Sequence, residues 1–398
     1  MLRLAVAKVV EIVAEREGMQ TLDVVMTATQ QRESACFFTS GAVKCAPGEL
    51  VLLNTTSVEL GLGTGGCHFV VARLNPDESR VDDLHPTAWG HVMKMRYTPL
   101  QLAVDSVEEQ GSPHHSLFCD ESVTLERTPV VIGELHSMLP SVALAIKQLQ
   151  PDCRIVYVMP DGASLPIAFS RHVALLKHRG ILSATVTTGH AWGGDFDAVN
   201  LHTGLLAAKH LAAADVILCM LGPGVVGTGT NYGFSGMQTA EAVHAASCLE
   251  GVPVFVPRIG FADPRERHHG MSHHTRTVLK RFALAPVLYC VPRFGDHRDS
   301  LLARQEQADS LSRMHHRLLS PAPDVETIAR LQHGYPLTIT TMGRDLTEEP
   351  SPLQTCYVAA ELALHALVQR HLLSVLPPGQ DALAILAASW DSRPSREA

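Results

Sequence analysis

The chain has 398 residues, more than one average domain and fewer than three, so two are expected. It is 46% hydrophobic and only 18% charged, which excludes an intrinsically disordered chain. Thirty-two basic against forty acidic residues leave a net charge of -8 with no Lys/Arg run, which argues against a nucleic-acid partner.

The nine Cys are scattered, odd in number and contain no C-x-x-C. That pattern predicts single buried thiols in a reducing compartment, not a disulfide scaffold or a structural zinc module. Lys8 and Glu11 interrupt the apolar N-terminus and no small-residue cleavage site follows, so no signal peptide is expected. The longest uncharged stretch, 216–240, carries six Gly and a Pro, which lipid would leave with unsatisfied backbone groups. It reads as a buried strand and a loop, and the expectation is a cytoplasmic protein with no membrane partner.

In chain order, residues 6–13 and 21–26 are β-branched runs around a polar turn containing Gly18, as in a hairpin. Runs at 34–39, 49–54 and 68–73 follow closely, with Pro47-Gly48 marking a turn. Short strands at this spacing predict a small β-barrel or sandwich over residues 1–90. Within it the Gly61–Gly66 run is expected as a tight corner in preference to an anion cradle. A helix is expected over 99–109.

From residue 128 strands and helices alternate. Strands are expected at 129–133, 154–159, 183–188, 216–221, 252–257 and 287–291, with helices at 138–149, 166–178, 197–212, 239–249 and 274–283. Continuous apolar strands separated by helices predict an α/β domain over 91–376, a Rossmann-like three-layer arrangement around a mainly parallel sheet. A charged helical excursion is expected at 293–335, a returning strand at 337–341, a closing helix at 353–372 and a flexible tail at 377–398.

Ligands of an open parallel sheet bind beyond the carboxyl ends of the strands. The segments there are rich in chemistry: Glu134, His136 and Ser137; Asp161; His190, Asp195 and Asp197; then Arg258, Asp263 and the four His between His268 and His274. The run Gly222, Gly224, Gly227, Thr228, Gly229 fits G-x-G-x-x-G after a strand and suits an anion or phosphate. It departs from a dinucleotide fingerprint because the helix starts about ten residues late, no acid ends the next strand, and the strand is the fourth of the sheet.

Asp161, His190, Asp195 and Asp197 form a mixed oxygen/nitrogen set that suits a divalent metal, with Glu134 and His136 as further donors. Either Asp195 or Asp197 also sits where a helix N-cap belongs. His136, His190, Glu134 and Asp195 are the candidate proton-handling residues, and Arg258, Asp263 and His273 join the glycine run as ligand-binding candidates. The four clustered His suit metal binding, proton transfer or simple exposure. No G-x-S-x-G exists, and Cys67 and Cys219 lack an activating neighbour.

The stretches LNTTSVELGLGTGGCHFVV, GHVMKMRYTPLQ, GELHSMLP, GHAWGGDFDAVN, LGPGVVGTGT, FADPRERHHGMSHHT and TTMGR occur in this order. Together they resemble the bacterial domain-of-unknown-function family 3866 over about residues 6–361. The resemblance implies a cytoplasmic bacterial protein of this two-part layout and carries no activity. Cys67 and Asp197 depart from the aromatic and the Glu usual there, which implies that Cys67 is not catalytic and that a carboxylate matters at 197.

The leading functional expectation is an enzyme of hydrolase or transferase type acting on a small anionic molecule, phosphorylated or not, with a divalent metal as the one cofactor suggested. The alternatives are a non-catalytic metabolite sensor and, more weakly, a nicotinamide oxidoreductase. The expected partner is a small molecule, and the reading leaves room for a homo-oligomer.

Overall fold

A computed structural model describes residues 2–39, 44–61, 66–74, 87–98, 100–374 and 381–392. The chain forms two compact units: Met1–Asp105 with Ala168–Ala174, and Ser106–Ile167 with Leu175–Ala398.

In the first unit β1 (Leu4–Arg16), β2 (Met19–Met26), β3 (Arg32–Phe37), β4 (Leu50–Asn54) and β5 (Cys67–Arg73) close into a barrel of order β1-β2-β3-β5-β4. Pairing of Leu4 with Asn54 through Lys8 with Leu50 makes the closure and leaves no free edge. Alternate residues of β2 (Leu22, Val24, Met26) point inward, meeting Ala7, Val9, Ala35, Val51 and Leu53 in a core of their own. β3 and β5 run parallel, and a disulfide joins Cys36 to Cys67 across them. This corrects the expectation of nine single thiols: seven are free. The spacing hid the pair because barrel closure, not sequence proximity, brings the two residues together. Gly61 and Gly66 both take positive φ; the remainder of that corner, 62–65, lies outside the described residues. The helix expected over 99–109 is instead β7 (Leu102–Val104), paired with β6 (Val92–Lys94), and Pro99 lies outside the described residues. Asp105 ends this hairpin by accepting the Ala88, Trp89 and Gly90 N–H groups.

The second unit is built on an eight-stranded, all-parallel sheet. Its strands are β8 (Pro129–Gly133), β9 (Ile155–Met159), β10 (Ala184–Thr187), β11 (Phe196–Asp197), β12 (Val216–Met220), β13 (Val252–Val256), β16 (Leu288–Arg293) and β17 (His316–Pro321). Their order is β11-β10-β9-β12-β8-β13-β16-β17. β8, β9, β12 and β13 are buried at every residue, which is why they read as unbroken apolar runs.

Right-handed crossovers fix where the helices lie. The chain moves outward from β8 through β9 to β10, then reverses to reach β12 and crosses β8 to β13. The helix after β8, Met138–Leu149, packs against the long helix Ser351–Ser374. Those after the reversal, Leu201–His210 and Thr239–Cys248, pack against each other on the opposite face. The chain therefore leaves β8 toward one face and β13 toward the other, opening a crevice at their carboxyl ends.

Three expectations at the margins are corrected. Asp197 is not an N-cap but lies in β11; Asn200 caps the following helix by accepting the His202 and Thr203 N–H groups. The last strand is β17, inside the expected helical excursion, and residues 337–341 are irregular. Within the expected tail Ala382–Asp391 is a helix, because Trp390 is buried and its Nε1–H donates to the Leu319 carbonyl on β17. Among the described residues no helix is long and apolar enough to cross a membrane.

Candidate metal centre and anion crevice

Past β13 the chain turns back on itself. The two-residue strands β14 (Ile259–Gly260) and β15 (Gly270–Met271) pair antiparallel, so Arg258 and Ser272 become neighbours and the Ser272 N–H donates to the Arg258 carbonyl at 2.8 Å. Ser272 then caps the short helix His273–Thr277 by accepting the His274 N–H. The same Oγ lies 2.9 Å from His268 Nδ1, which leaves His268 Nε2 for another partner.

One serine thus holds the His268 ring and caps the helix that carries His273 and His274. A ring nitrogen from each of His268, His273 and His274 falls within 4.8 Å of the others. His268 and His274 are buried, and neither ring nitrogen of His274 has a hydrogen-bond partner, while His273 is half-buried and meets the Thr230 and Arg267 backbone. Unpaired buried polar atoms cost free energy, so such a group asks for a ligand. Phe234 stacks flat on His274 at 3.8 Å and fixes its plane. Burial, then the charge of Arg258 and neighbouring groups, pulls His268 down to about 4. His274 falls to about 3, by burial and then by His273 and His268. Both rings are neutral at pH 7, the state that ligates a metal. Three His with positions left open is a donor set of the catalytic zinc type. His269, by contrast, is exposed and rests edge-on against Phe261.

Beside the imidazoles lies a carboxylate that holds three arginines. Asp263 Oδ2 is 3.3 Å from Arg258 Nη2, 2.8 Å from Arg265 Nη2 and 3.2 Å from Arg344 Nη2. Arg265 first of all keeps the Asp263 carboxyl far below the usual range. Glu134, at the end of β8, is fully buried and neither oxygen takes a hydrogen bond of good geometry. Burial raises it to about 7, against the pull of the Arg258 charge and the Thr275 hydroxyl. A small cavity lined by Arg258, Asp263, His268, Thr341 and Arg344 completes the crevice. Ser137 Oγ reaches Thr341 Oγ1 at 3.4 Å, joining the loop after β8 to this wall. Three arginines therefore meet two carboxylates here, Asp263 and the buried Glu349, which lines the same cavity and accepts the Phe261 and Ala262 N–H groups, with Glu134 behind them.

The structure divides the residues singled out from sequence. Glu134, Arg258, Asp263 and His273 belong to this centre. Gly227 and Gly229 border it: a Cβ at Gly227 would lie 3.6 Å from His274 Cε1, and one at Gly229 would lie 3.6 Å from Arg267 Nη2. Gly224 lies farther along the loop, over Ala163, and Gly222 packs on Met159. The loop is not an open phosphate cradle. Its Thr228 N–H donates to the Gly233 carbonyl and Val226 N–H to Ser235 Oγ, while Thr228 Oγ1 bonds within the loop.

His136 Nδ1 is 3.2 Å from the Leu221 carbonyl. Asp161 holds a loop: its carboxylate accepts the His190 and Ser164 N–H groups. Asp197 accepts from Thr187 Oγ1 at 2.6 Å and from the Gly193 N–H. Asp195 accepts from Lys177 Nζ at 2.6 Å and from both the N–H and hydroxyl of Thr185. These three carboxylates therefore close the β9, β10 and β11 ends of the sheet, and the structure does not bring them to the imidazoles as one ligand set. Asp195→Ala should accordingly lower stability by about 1–2 kcal/mol and leave divalent-ion binding unchanged; urea unfolding and ion titration of the purified variant check both halves. Sequence reasoning passed over Arg344, Thr341 and Arg265, and left His268 and His274 unassigned. The usable signal was Ser272 directly before a helix, with His on both sides of it.

No curated protein and no solved structure matches the chain. The family described as a protein of unknown function (DUF3866) matches residues 34–360, more than half of the sequence, so the chain belongs to that family.

Proposed function

We propose that this chain is a metal-assisted enzyme of hydrolase or transferase type acting on a small anionic molecule in the crevice after β8 and β13. The observation that carries the reading is the cluster of His268, His273 and His274, with both ring nitrogens of the buried His274 unpartnered, beside a wall that carries Arg258 and Arg344. A divalent ion there would polarise a substrate oxygen and lower the pKa of a bound water. Arg258 and Arg344 offer charge to the oxygen on which negative charge would develop in the reaction, and Glu134, titrating near neutrality, suits proton transfer. The arginines also explain why a metal and an anion belong together here: each offsets the repulsion the other meets.

The test is titration of the full chain, freed of divalent ions, with zinc, manganese or cobalt, read by calorimetry and by cobalt absorption. One ion per chain is expected. His268→Ala and His274→Ala should each weaken it by about a hundredfold or more, since even outer-shell changes cost 10–100-fold. His269→Ala, exposed and outside the cluster, should bind as the wild type does. Thermal melting of the ion-free variants confirms that they fold. Equal binding by all four proteins, or none by the wild type, overturns the metal. Tight binding of anions without turnover of any would leave a sensor in place of an enzyme.

A further inference from the structure

His273 faces two ways. It belongs to the imidazole cluster, and it also lines a separate cavity of about 280 Å³ whose wall includes Tyr232, Arg276, Lys280, Arg281 and Asp309. Asp309 bonds Arg276 Nε and Lys280 Nζ, and Arg281 has no ion pair among the described residues. Three cations against one carboxylate leave an excess of two positive charges in a pocket that borders the proposed metal ligands.

The helix that carries these cations changes its winding between Arg276 and Lys280. After Thr277 the segment Val278–Phe282 is a π turn, with the Ala283 N–H bonded five residues back to the Val278 carbonyl at 2.9 Å. A π turn inserts a residue into the helical repeat and re-aims the side chains that follow. Here it places Lys280, Arg281 and Phe282 together along a second, more apolar hollow that shares Tyr232, Lys280 and Arg281 with the first. Tyr232, from the glycine-rich loop, stands edge-on to Phe282 with centroids 5.8 Å apart. Both rings are solvent-exposed, Tyr232 at 54%, with no core to explain them.

The two hollows adjoin along Tyr232, Lys280 and Arg281, one rich in cations and the other more apolar. We infer that the substrate is a phosphate ester with a planar aromatic body, as in a nucleoside phosphate, its phosphoryl group beside His273 between Lys280 and Arg281 and its ring on Tyr232. A dianionic phosphoryl matches the excess of two charges, and Lys and Arg are its usual partners. A flat ring matches an exposed aromatic that is fixed by its neighbour and has a face to offer. The inference rests on the proposed function only in taking the His273 edge as the reacting end.

Calorimetric titration of the ion-free full chain with AMP, ribose 5-phosphate, adenosine and inorganic phosphate tests it. AMP should bind about tenfold tighter than ribose 5-phosphate, the usual size of one base stacked on an aromatic ring. Adenosine should be weaker than AMP by at least as much. Tyr232→Ala should bring AMP down to the level of ribose 5-phosphate. Arg281→Gln should weaken AMP and ribose 5-phosphate alike and leave adenosine unchanged. Both residues are exposed surface positions, so the variants should fold, as melting will show. AMP bound no tighter than ribose 5-phosphate, a preference that survives Tyr232→Ala, or no binding by any of the four overturns the inference. Because no ion is present, such a failure with ion binding at His268 and His274 intact sinks the substrate class alone. The reverse result, AMP preference with no ion bound, sinks the metal alone.

Discussion

Asp263→Ala should cost this protein about 3–5 kcal/mol of stability, the range found when one partner of a buried ion pair is removed. The Asp263 side chain is 3% exposed and Arg258 beside it 8%. Without the carboxylate, Arg258 keeps only Glu134 as a counter-charge, and burial raises Glu134 to about 7, so that it is only partly ionised at neutral pH. Arg265 and Arg344 would then repel Arg258 with nothing between them. Asp263→Asn keeps an acceptor for the Arg265 N–H but not the charge, and should recover only part of the loss. The pH dependence has a definite sign. The folded carboxyl is held far below its ordinary value of 3.8, so its contribution is complete above that pH and is lost progressively as pH falls from there toward the lower folded value. The gap between wild type and Asp263→Ala should therefore narrow in acid. Urea unfolding at pH 7 and below pH 4 measures both; a loss under about 1 kcal/mol at pH 7 would mean that water, not Asp263, neutralises the arginines.

What could be read in the sequence followed from burial. β8, β9, β12 and β13 have both faces covered, so nothing polar interrupts them and their positions were plain. β17 lies at the edge, carries Arg317 and Ser320, and is half-exposed, so its hydrophobic signal sank into a charged stretch. The barrel strands showed their alternation, but the Cys36–Cys67 pairing depends on β3 and β5 meeting in parallel, which no local pattern records. Helix 382–391 is tied down by Leu383, Leu386 and Trp390, too little to mark it against a Pro- and Ser-rich neighbourhood.

The site was legible as a set of loops and not as a set of roles. Asp195 and Asp197 have the spacing of ligands, yet the narrow edge of the sheet uses both to satisfy Thr185, Thr187 and Lys177. Hydrogen-bond demand of that kind is tertiary and leaves no trace in spacing. The four clustered His looked interchangeable because the feature that separates them is a hairpin, β14 with β15, only two residues long on each side. It buries His268 and His274 while leaving His269 in solvent. Glu134 alone combined both kinds of evidence: its place after the first strand was visible, and its burial follows from the crevice that the reversal of strand order creates.

That burial gives the second large effect. Glu134 is raised from 4.5 to about 7, with burial as the dominant cause. A carboxyl whose folded pKa lies above its unfolded one binds a proton more tightly when folded. Its stabilising contribution is complete below 4.5 and is lost as pH rises through 7. At about 1.4 kcal/mol per unit of difference in proton binding, the loss between pH 5 and pH 8 comes to about 2–3 kcal/mol. Glu134→Gln keeps the shape and does not titrate, so the variant should lack this fall. The imidazoles of His268 and His274 have folded values below their ordinary one, so their contribution runs the other way, weakening the fold as pH drops below 6.5. It is present in both proteins and cancels in the comparison. Urea unfolding of ion-free wild type and Glu134→Gln at the two pH values isolates the carboxyl. Parallel losses would show that Glu134 is ionised in the folded protein at pH 5, paired to Arg258 as an ordinary buried salt bridge. A steeper fall for the wild type would place a proton on a group fully enclosed beside Arg258 and Thr275, the residue that follows the proposed metal ligand His274. It would be available to that chemistry near neutral pH.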